Sequence, residues 1–504
     1  MMILARRVSE RWIAALLALL LALAPGFAGA GDASSPSDAL ARHVLNRLAF
    51  GPRPGDVERV RRIGIEAYVE EQLSPDRVAD ESVEAGLDGF PTLRMTQAQL
   101  FDRFERPLKE ARRRRKEELA RGESEREEEP TEQRLAKLRD LVPPENRPRR
   151  ILEELSAARV VRAADSRRQL NEVLVDFWLN HFNVDFAKGA DRFLLTSFER
   201  DVVRPRIWGK FEDLLLATAK SPAMLFYLDN ARSVADAEHR PPGFRVLAAA
   251  RPKAPTGLNE NYARELLELH TLGVDGGYSE KDVTELARVL TGWSIDRRDG
   301  ADFVFRPALH DVGAKTVLGR TLAPGGGVEE GEETIRFLAR HPSTARHIAW
   351  KLCQRFVADD PPPALVERVA KRFLATRGDL RETVREVVTS AEFRDPAFFG
   401  EKVKSPFEYA VSGVRALGGS TDGRGLAREI ARMGEPLYAC APPTGYPEAS
   451  AGWLSAGALV ARLDFSLALA EGRIPGTRVC SEDVADGAGD GAAVLLAAPE
   501  FQKR

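Results

Sequence analysis

Cysteine is nearly absent from this sequence: Cys353, Cys440 and Cys480 are the only three. Their spacing matches no zinc or redox motif. An oxidising compartment would permit one disulfide with one thiol left over, and three buried, inert thiols are the simplest alternative. Aromatic residues make up only 7% of the chain. No Gly-x-Ser-x-Gly elbow, no Cys–His pairing signature and no His-Glu-x-x-His helix occurs, so neither a serine-hydrolase elbow nor a zincin is supported. Gly276-Gly277 lacks the Lys and the strand context of a phosphate loop. No repeat of fixed period is found, which excludes a solenoid or propeller reading. Long apolar runs are missing too, apart from one near the start.

That run, Ile13 to Ala24, follows Arg6, Arg7 and Arg11 and precedes Ala28-Gly29-Ala30. A basic n-region, a short apolar core and small residues at the cleavage position predict a signal peptide over residues 1–30, hence export to the periplasm, the cell envelope or the medium. The run falls short of the ~20 residues a bilayer span needs, so no stable membrane span is expected after cleavage. Val8-Ser9-Glu10 continues Arg6-Arg7 poorly as a twin-arginine signal, which favours the general secretory route. The segment removes three Arg and one Glu from 74 basic and 76 acidic residues, leaving a formal charge of −4. Such a balance gives no reason to expect nucleic acid as a partner.

What is abundant is Leu, Ala, Arg and Glu, all good helix formers. The predicted fold class is mostly α, a multi-helix array with one small β-hairpin near 303–318, built from Phe303–Phe305 and Thr316–Leu318. Residues 31–101 read as an N-terminal helical segment and 102–150 as a charged, partly disordered helical insertion. Residues 151–475 form the main helical domain, with a signature segment over 258–293, and 476–504 a C-terminal tail. Within the insertion Arg112 to Lys116 is wholly basic and Glu123 to Glu129 almost wholly acidic, which reads as a solvated arm.

Candidate chemistry concentrates in the signature segment. Winding 260–272 at about 100° per residue puts Tyr262, Ala263, Leu266 and Leu269 on one side and Asn261, Arg264, Glu265 and Glu268 on another. Two carboxylates one turn apart beside an Asn suit a divalent cation or an acid–base pair. The competing reading is a solvent stripe with an Arg264–Glu268 ion pair. Asn259 is a good N-cap, Ser279 with Asp282 makes a capping box, and Glu285 with Arg288 a one-turn ion pair. His270 and His181 lie on apolar arcs and read as core histidines that would be ligands only if they met in space. His310-Asp311 with Lys315 is a loop constellation able to ligate metal or shuttle protons, or a turn capped by Asp311.

Taken together these segments resemble the bacterial domain-of-unknown-function family 1800. The matching residues are His43 to Gly51, Phe177-Trp178 with Asn180-His181-Phe182, and Met224-Leu225 with Tyr227-Leu228-Asp229. Asn259 to Leu266, His270 to Gly273, Tyr278, Asp282-Val283 and Leu290 to Trp293 follow. His310-Asp311, Lys315, Gly319, Pro443 to Tyr446 and Trp453 to Ser455 complete the pattern. The resemblance implies a large, exported, helical protein, often encoded beside an exported protein of alkaline-phosphatase-like fold, and it carries over no catalytic assignment. Two readings follow. In one, the chain is an envelope or extracellular hydrolase acting on a polymer. One divalent cation is held by Asn261, Glu265, His310 and Asp311, while Glu265, Glu268 and Arg264 do the chemistry. In the other, it is a non-catalytic envelope scaffold or partner of another exported protein, its polar residues joining helices.

Overall fold

Helix-forming residues at helical spacing translate into helices through most of the chain. The computed structural model describes residues 36–121, 142–241, 257–296, 300–479 and 489–504. The segment expected to be a signal peptide, the acidic run at 123–129, and Cys480 lie outside the described residues. The helices that matter for the site are α1 (Pro36–Leu48), α2 (Arg106–Arg121), α3 (Arg149–Asp165), α4 (Gln169–His181), α5 (Asn261–Glu265), α6 (Glu280–Val289), α7 (Pro342–Phe356), α8 (Leu380–Val388) and α9 (Pro406–Ala416). The fold is mostly α, with three small two-stranded sheets among the described residues.

Local chemistry explains several boundaries. Ser279 and Asp282 form the expected capping box at α6, and Asp379 caps α8 by accepting the Glu382 N–H. The helical stretch from Val328 to Phe356 is two helices, Val328–Ala339 and α7. Pro342 disfavours the α conformation at His341, whose ring instead accepts the Ser343 N–H at 3.2 Å. The hairpin expected near 303–318 is also two. β2 (Asp302–Phe305) pairs backwards with β1 (Trp293–Asp296), and β3 (Lys315–Val317) pairs forwards with β4 (Arg320–Leu322). Leu318 and Gly319 both adopt positive φ, 48° and 75°, the geometry of a two-residue turn whose twist suits a hairpin. Leu-Gly is a weak sequence signal for that turn, so spacing alone does not show which strands pair.

One connected apolar core runs from Ala41 in α1 to Leu496, so residues of the first segment and of the tail share it with the middle of the chain. The basic stretch Arg112–Lys116 lies on α2, whose Ala111 is buried while Arg112, Arg113, Arg114 and Lys116 are exposed. Among the described residues no helix is long and apolar enough to cross a membrane.

Candidate functional site

The signature helix is not a plain α-helix. α5 ends at Glu265, and Leu266–Thr271 winds as a π turn, with the Leu272 N–H reaching back to Leu267. The wider turn rotates everything after Glu265 away from its expected bearing. Arg264 therefore pairs with Glu280 of α6, through two bonds of 2.8 Å, rather than with Glu268. Glu268 accepts from the Tyr278 hydroxyl at 3.3 Å. Glu265 is half-buried and has no hydrogen-bond or ion-pair partner among the described residues. Burial first, then Glu268, raises its carboxyl above the usual range. Asn259 accepts the Asn261 N–H at 2.9 Å and donates to the Asp229 carbonyl, while Asn261 donates to that of Leu228. Asp282 accepts from its own cap and from the Leu318 N–H at 2.7 Å, tying α6 to the β3–β4 turn.

The 310 loop is likewise occupied by the protein itself. Asp311 is 2% exposed and takes two bonds from Arg288, 2.8 and 3.1 Å, with Glu285 on the other side of that guanidinium at 2.8 Å. His310 donates through Nδ1 to the Thr291 carbonyl, 2.8 Å away, and its other nitrogen faces Glu330 at 3.4 Å. Lys315 is buried and paired with the same Glu330 at 2.6 Å. Among the described residues no three His, Cys, Asp or Glu side chains are gathered as a cation would require, so Asn261, Glu265, His310 and Asp311 are not assembled into one centre.

A different polar centre exists. A cleft opens between α3, α4, α7 and the 435–453 loop, lined by Arg159, Asp176, Arg355, Glu435, Tyr438, Glu448 and their neighbours. Its interior is narrow, with room for a few water molecules. Asp176 is held between Arg159 and Arg355, the latter at 2.9 Å, and Arg355 also reaches Glu448 at 3.4 Å and Glu408 at 3.1 Å. Arg504 supports Glu408 from behind at 2.8 Å. Arg159 stacks over Phe407 and Tyr438, and the Tyr438 hydroxyl donates to Glu199. Tyr438 sits at φ 61°, a strained conformation for a residue with a large side chain.

Glu435 stands apart from this network. It is 6% exposed, forms no ion pair among the described residues, and accepts the Phe407 N–H at 2.7 Å. Burial, reinforced by Asp176, pushes its carboxyl up to about 8. Glu448 moves the other way: burial opposes its ionisation, but Arg355, Arg504 and Lys402 together hold it below the ordinary carboxylate range.

The 435–453 loop is fixed to the end of α4 by main-chain bonds. Asn180 grips the Tyr446 peptide from both sides, donating to its carbonyl at 2.9 Å and accepting its N–H at 2.7 Å. Asn183 donates to the carbonyls of Cys440 and Pro442. Gly445 makes the approach possible. Its φ is +73°, and a Cβ there would stand 2.4 Å from the Asn180 oxygen.

A family model described as a protein of unknown function, DUF1800, matches residues 43–502, nearly the whole chain. This chain belongs to the DUF1800 family. No curated protein and no solved structure matches it. In this DUF1800 chain, two of the segments that carried the resemblance, 177–182 and 443–453, meet at the cleft, whereas 259–293 joins helices beside it.

The histidines expected to be core residues are buried, and they do meet. His181 and His270 are both 2% exposed, with ring centres 6.1 Å apart, and His347 of α7 lies 6.3 Å from His181. Burial, with Lys351 nearby, lowers His270 to about 3 and His347 to about 4, and drives His181 well down too. All three are neutral imidazoles at ordinary pH. Gly273, at φ +85°, completes the packing, since a Cβ there would lie 2.9 Å from His347 Nδ1. Reading the sequence missed Glu435, Glu448, Asp176, Arg159, Arg355 and Lys351. The one available signal was the pair of family segments, Asn180-His181 and Gly445-Tyr446, that face each other across the site.

Proposed function

We propose that the chain is an exported enzyme whose working site is the cleft between α3, α4, α7 and the 435–453 loop, cleaving a polar, hydroxyl-rich ligand by acid–base chemistry. The observation that carries this reading is Glu435, a buried carboxyl without a counter-ion, in the same cleft as an ion-paired carboxylate, Glu448. Two carboxyl groups pushed in opposite directions by their surroundings are the arrangement that acid–base cleavage uses. Glu435, neutral at pH 7, donates the proton to the leaving oxygen. As the C–O bond breaks, water adds to the carbon left electron-poor and gives its proton to Glu448, which Arg355 fixes relative to Asp176.

The cleft walls are electrically balanced. Arg159 and Arg355 face the ion-paired Asp176 and Glu448, and Glu435 carries no charge. Balanced walls rich in donors and acceptors, with Tyr438, Tyr446 and Trp453 among them, suit one neutral hydroxyl-bearing group of a larger saccharide-like ligand, which is all the narrow interior admits, better than an ion. Export is supported by the composition of residues 1–30. The polar residues of 259–293 are assigned to holding α5, α6 and the 310 loop together.

The test is release of reducing ends from a panel of soluble oligosaccharides and polysaccharides by the wild type and by Glu435→Gln. The expected result is cleavage that declines above about pH 8 in the wild type and falls by about 10²–10⁴ in the variant. No release from any member of the panel, or an active variant with an unchanged pH profile, would sink the reading.

A further inference from the structure

A second hollow, of about 420 Å³, lies on a different face of α3 from Arg159 and the cleft. That volume falls within the range of about 300–1,000 Å³ typical of small-molecule sites. Val161 of α3, with Val83 and Phe90 from the segment before it, gives the hollow an apolar wall, and all three are buried. The polar side is a corner of the chain, Asp422-Gly423-Arg424, where the helix Arg424–Arg432 begins.

That corner presents two charges of opposite sign that the protein leaves unanswered. Asp422 and Arg424 do not pair with each other, and neither forms an ion pair with any described residue. Arg424 instead lies over the Phe90 ring, 4.9 Å from its centre. Asp422 Oδ1 accepts the Arg424 N–H at 2.9 Å, while Oδ2 takes no hydrogen bond among the described residues. The placement is rigid. Gly423, at φ +77°, approaches α3 so closely that a Cβ there would overlap the Ala157 carbonyl. A Cβ on Gly476 would likewise overlap the Asp422 carboxylate, and the Asp422 N–H donates to the Gly476 carbonyl at 2.9 Å. Two close approaches that only glycine allows thus hold the carboxylate and the guanidinium apart beside an apolar wall.

Asp165, also in the hollow, is answered by Arg53. With Asp422 set against Arg424, the charges cancel, and the hollow is neutral but dipolar. A simple anion placed there meets Asp422, and a simple cation meets Arg424, so the ligand that answers both ends carries both signs. The wall of Val83, Phe90 and Val161 favours a hydrocarbon group between them.

We infer that this hollow binds a zwitterion with an apolar side chain, either a free amino acid or a short peptide with both ends free. Its ammonium donates to Asp422 Oδ2, its carboxylate accepts from the Arg424 guanidinium, and its side chain rests on Val83 and Val161. The site is separate from the cleft and does not depend on the reaction proposed there.

The full chain is titrated calorimetrically with leucine and with leucyl-leucine. Each is also supplied with its amino end acetylated or its carboxyl end amidated. Saturable binding of at least one parent compound is expected, and the tighter of the two tells amino acid from peptide. Either blocked form should bind about tenfold more weakly or worse. In Arg424→Gln the gap between the parent and its amide should close, and in Asp422→Asn the gap between the parent and its acetylated form. Both side chains are exposed, and an Asn oxygen still accepts the Arg424 N–H, so both variants are expected to fold. No saturable binding of either parent overturns the inference. So do blocked forms that bind as tightly as their parents, or gaps that stay open in the variants.

Discussion

At the scale of single residues, the charged groups in this chain divide by how much water they see. Arg264 is 35% exposed and Glu280 78%, so water screens their pair, however regular, and it adds little to stability. Arg288 and Asp311 are 16% and 2% exposed, and there the loss of one partner strands a buried carboxylate. Arg288→Met is therefore expected to cost about 3–5 kcal/mol in urea unfolding, and Arg264→Met only a small fraction of that loss. Equal losses for the two would contradict the division. Glu265, which looked from the sequence like the centre of the chemistry, makes no polar contact with the described residues and is half-buried beside Glu268. The wheel that gathered it with Glu268 assumed one helical period, and the π turn from Leu266 to Thr271 breaks that period.

At the scale of elements, what could be read in advance followed from local chemistry. The capping box of α6 and the Glu285–Arg288 pair both depend on residues within one turn of each other. The cleft depends on nothing local. Arg159, Asp176, Arg355, Glu435 and Glu448 come from four elements spread over nearly three hundred positions, and no spacing rule links them. Only the recurrence of Asn180 and Gly445 in segments typical of the family hinted that two distant stretches belong together. Their junction is testable. Gly445→Ala adds a Cβ into the Asn180 side chain at a left-handed position, and should cost about 2 kcal/mol or more of stability while loosening the 435–453 loop. Hydrogen exchange would show lost protection at the Tyr446 amide. Unchanged protection there would mean that the Asn180 clasp does not hold the loop.

At the scale of the whole molecule, the central claim is thermodynamic. Glu435 stays protonated in the folded chain up to about pH 8, whereas in the unfolded chain it ionises near 4.5. The folded state thus holds one more proton between those values, and its stability must fall as pH rises across that window, by about 1.4 kcal/mol per pH unit at most. Other buried groups act in the same range with the opposite sign. His43, His270 and His347 are depressed to about 3, 3 and 4, so they cost stability as pH falls below about 6.5. Lys404, lowered to about 7, adds stability as pH rises above that value. The difference between two chains that share all of these isolates Glu435. Urea unfolding of the wild type and of Glu435→Gln is therefore measured from about pH 5 to about pH 9. The account predicts that the wild type loses ground to the variant steadily up to about pH 8, after which the gap stays constant. Curves that run parallel over the whole range would show that Glu435 is already ionised in the folded protein, and the cleft would have no acid to offer.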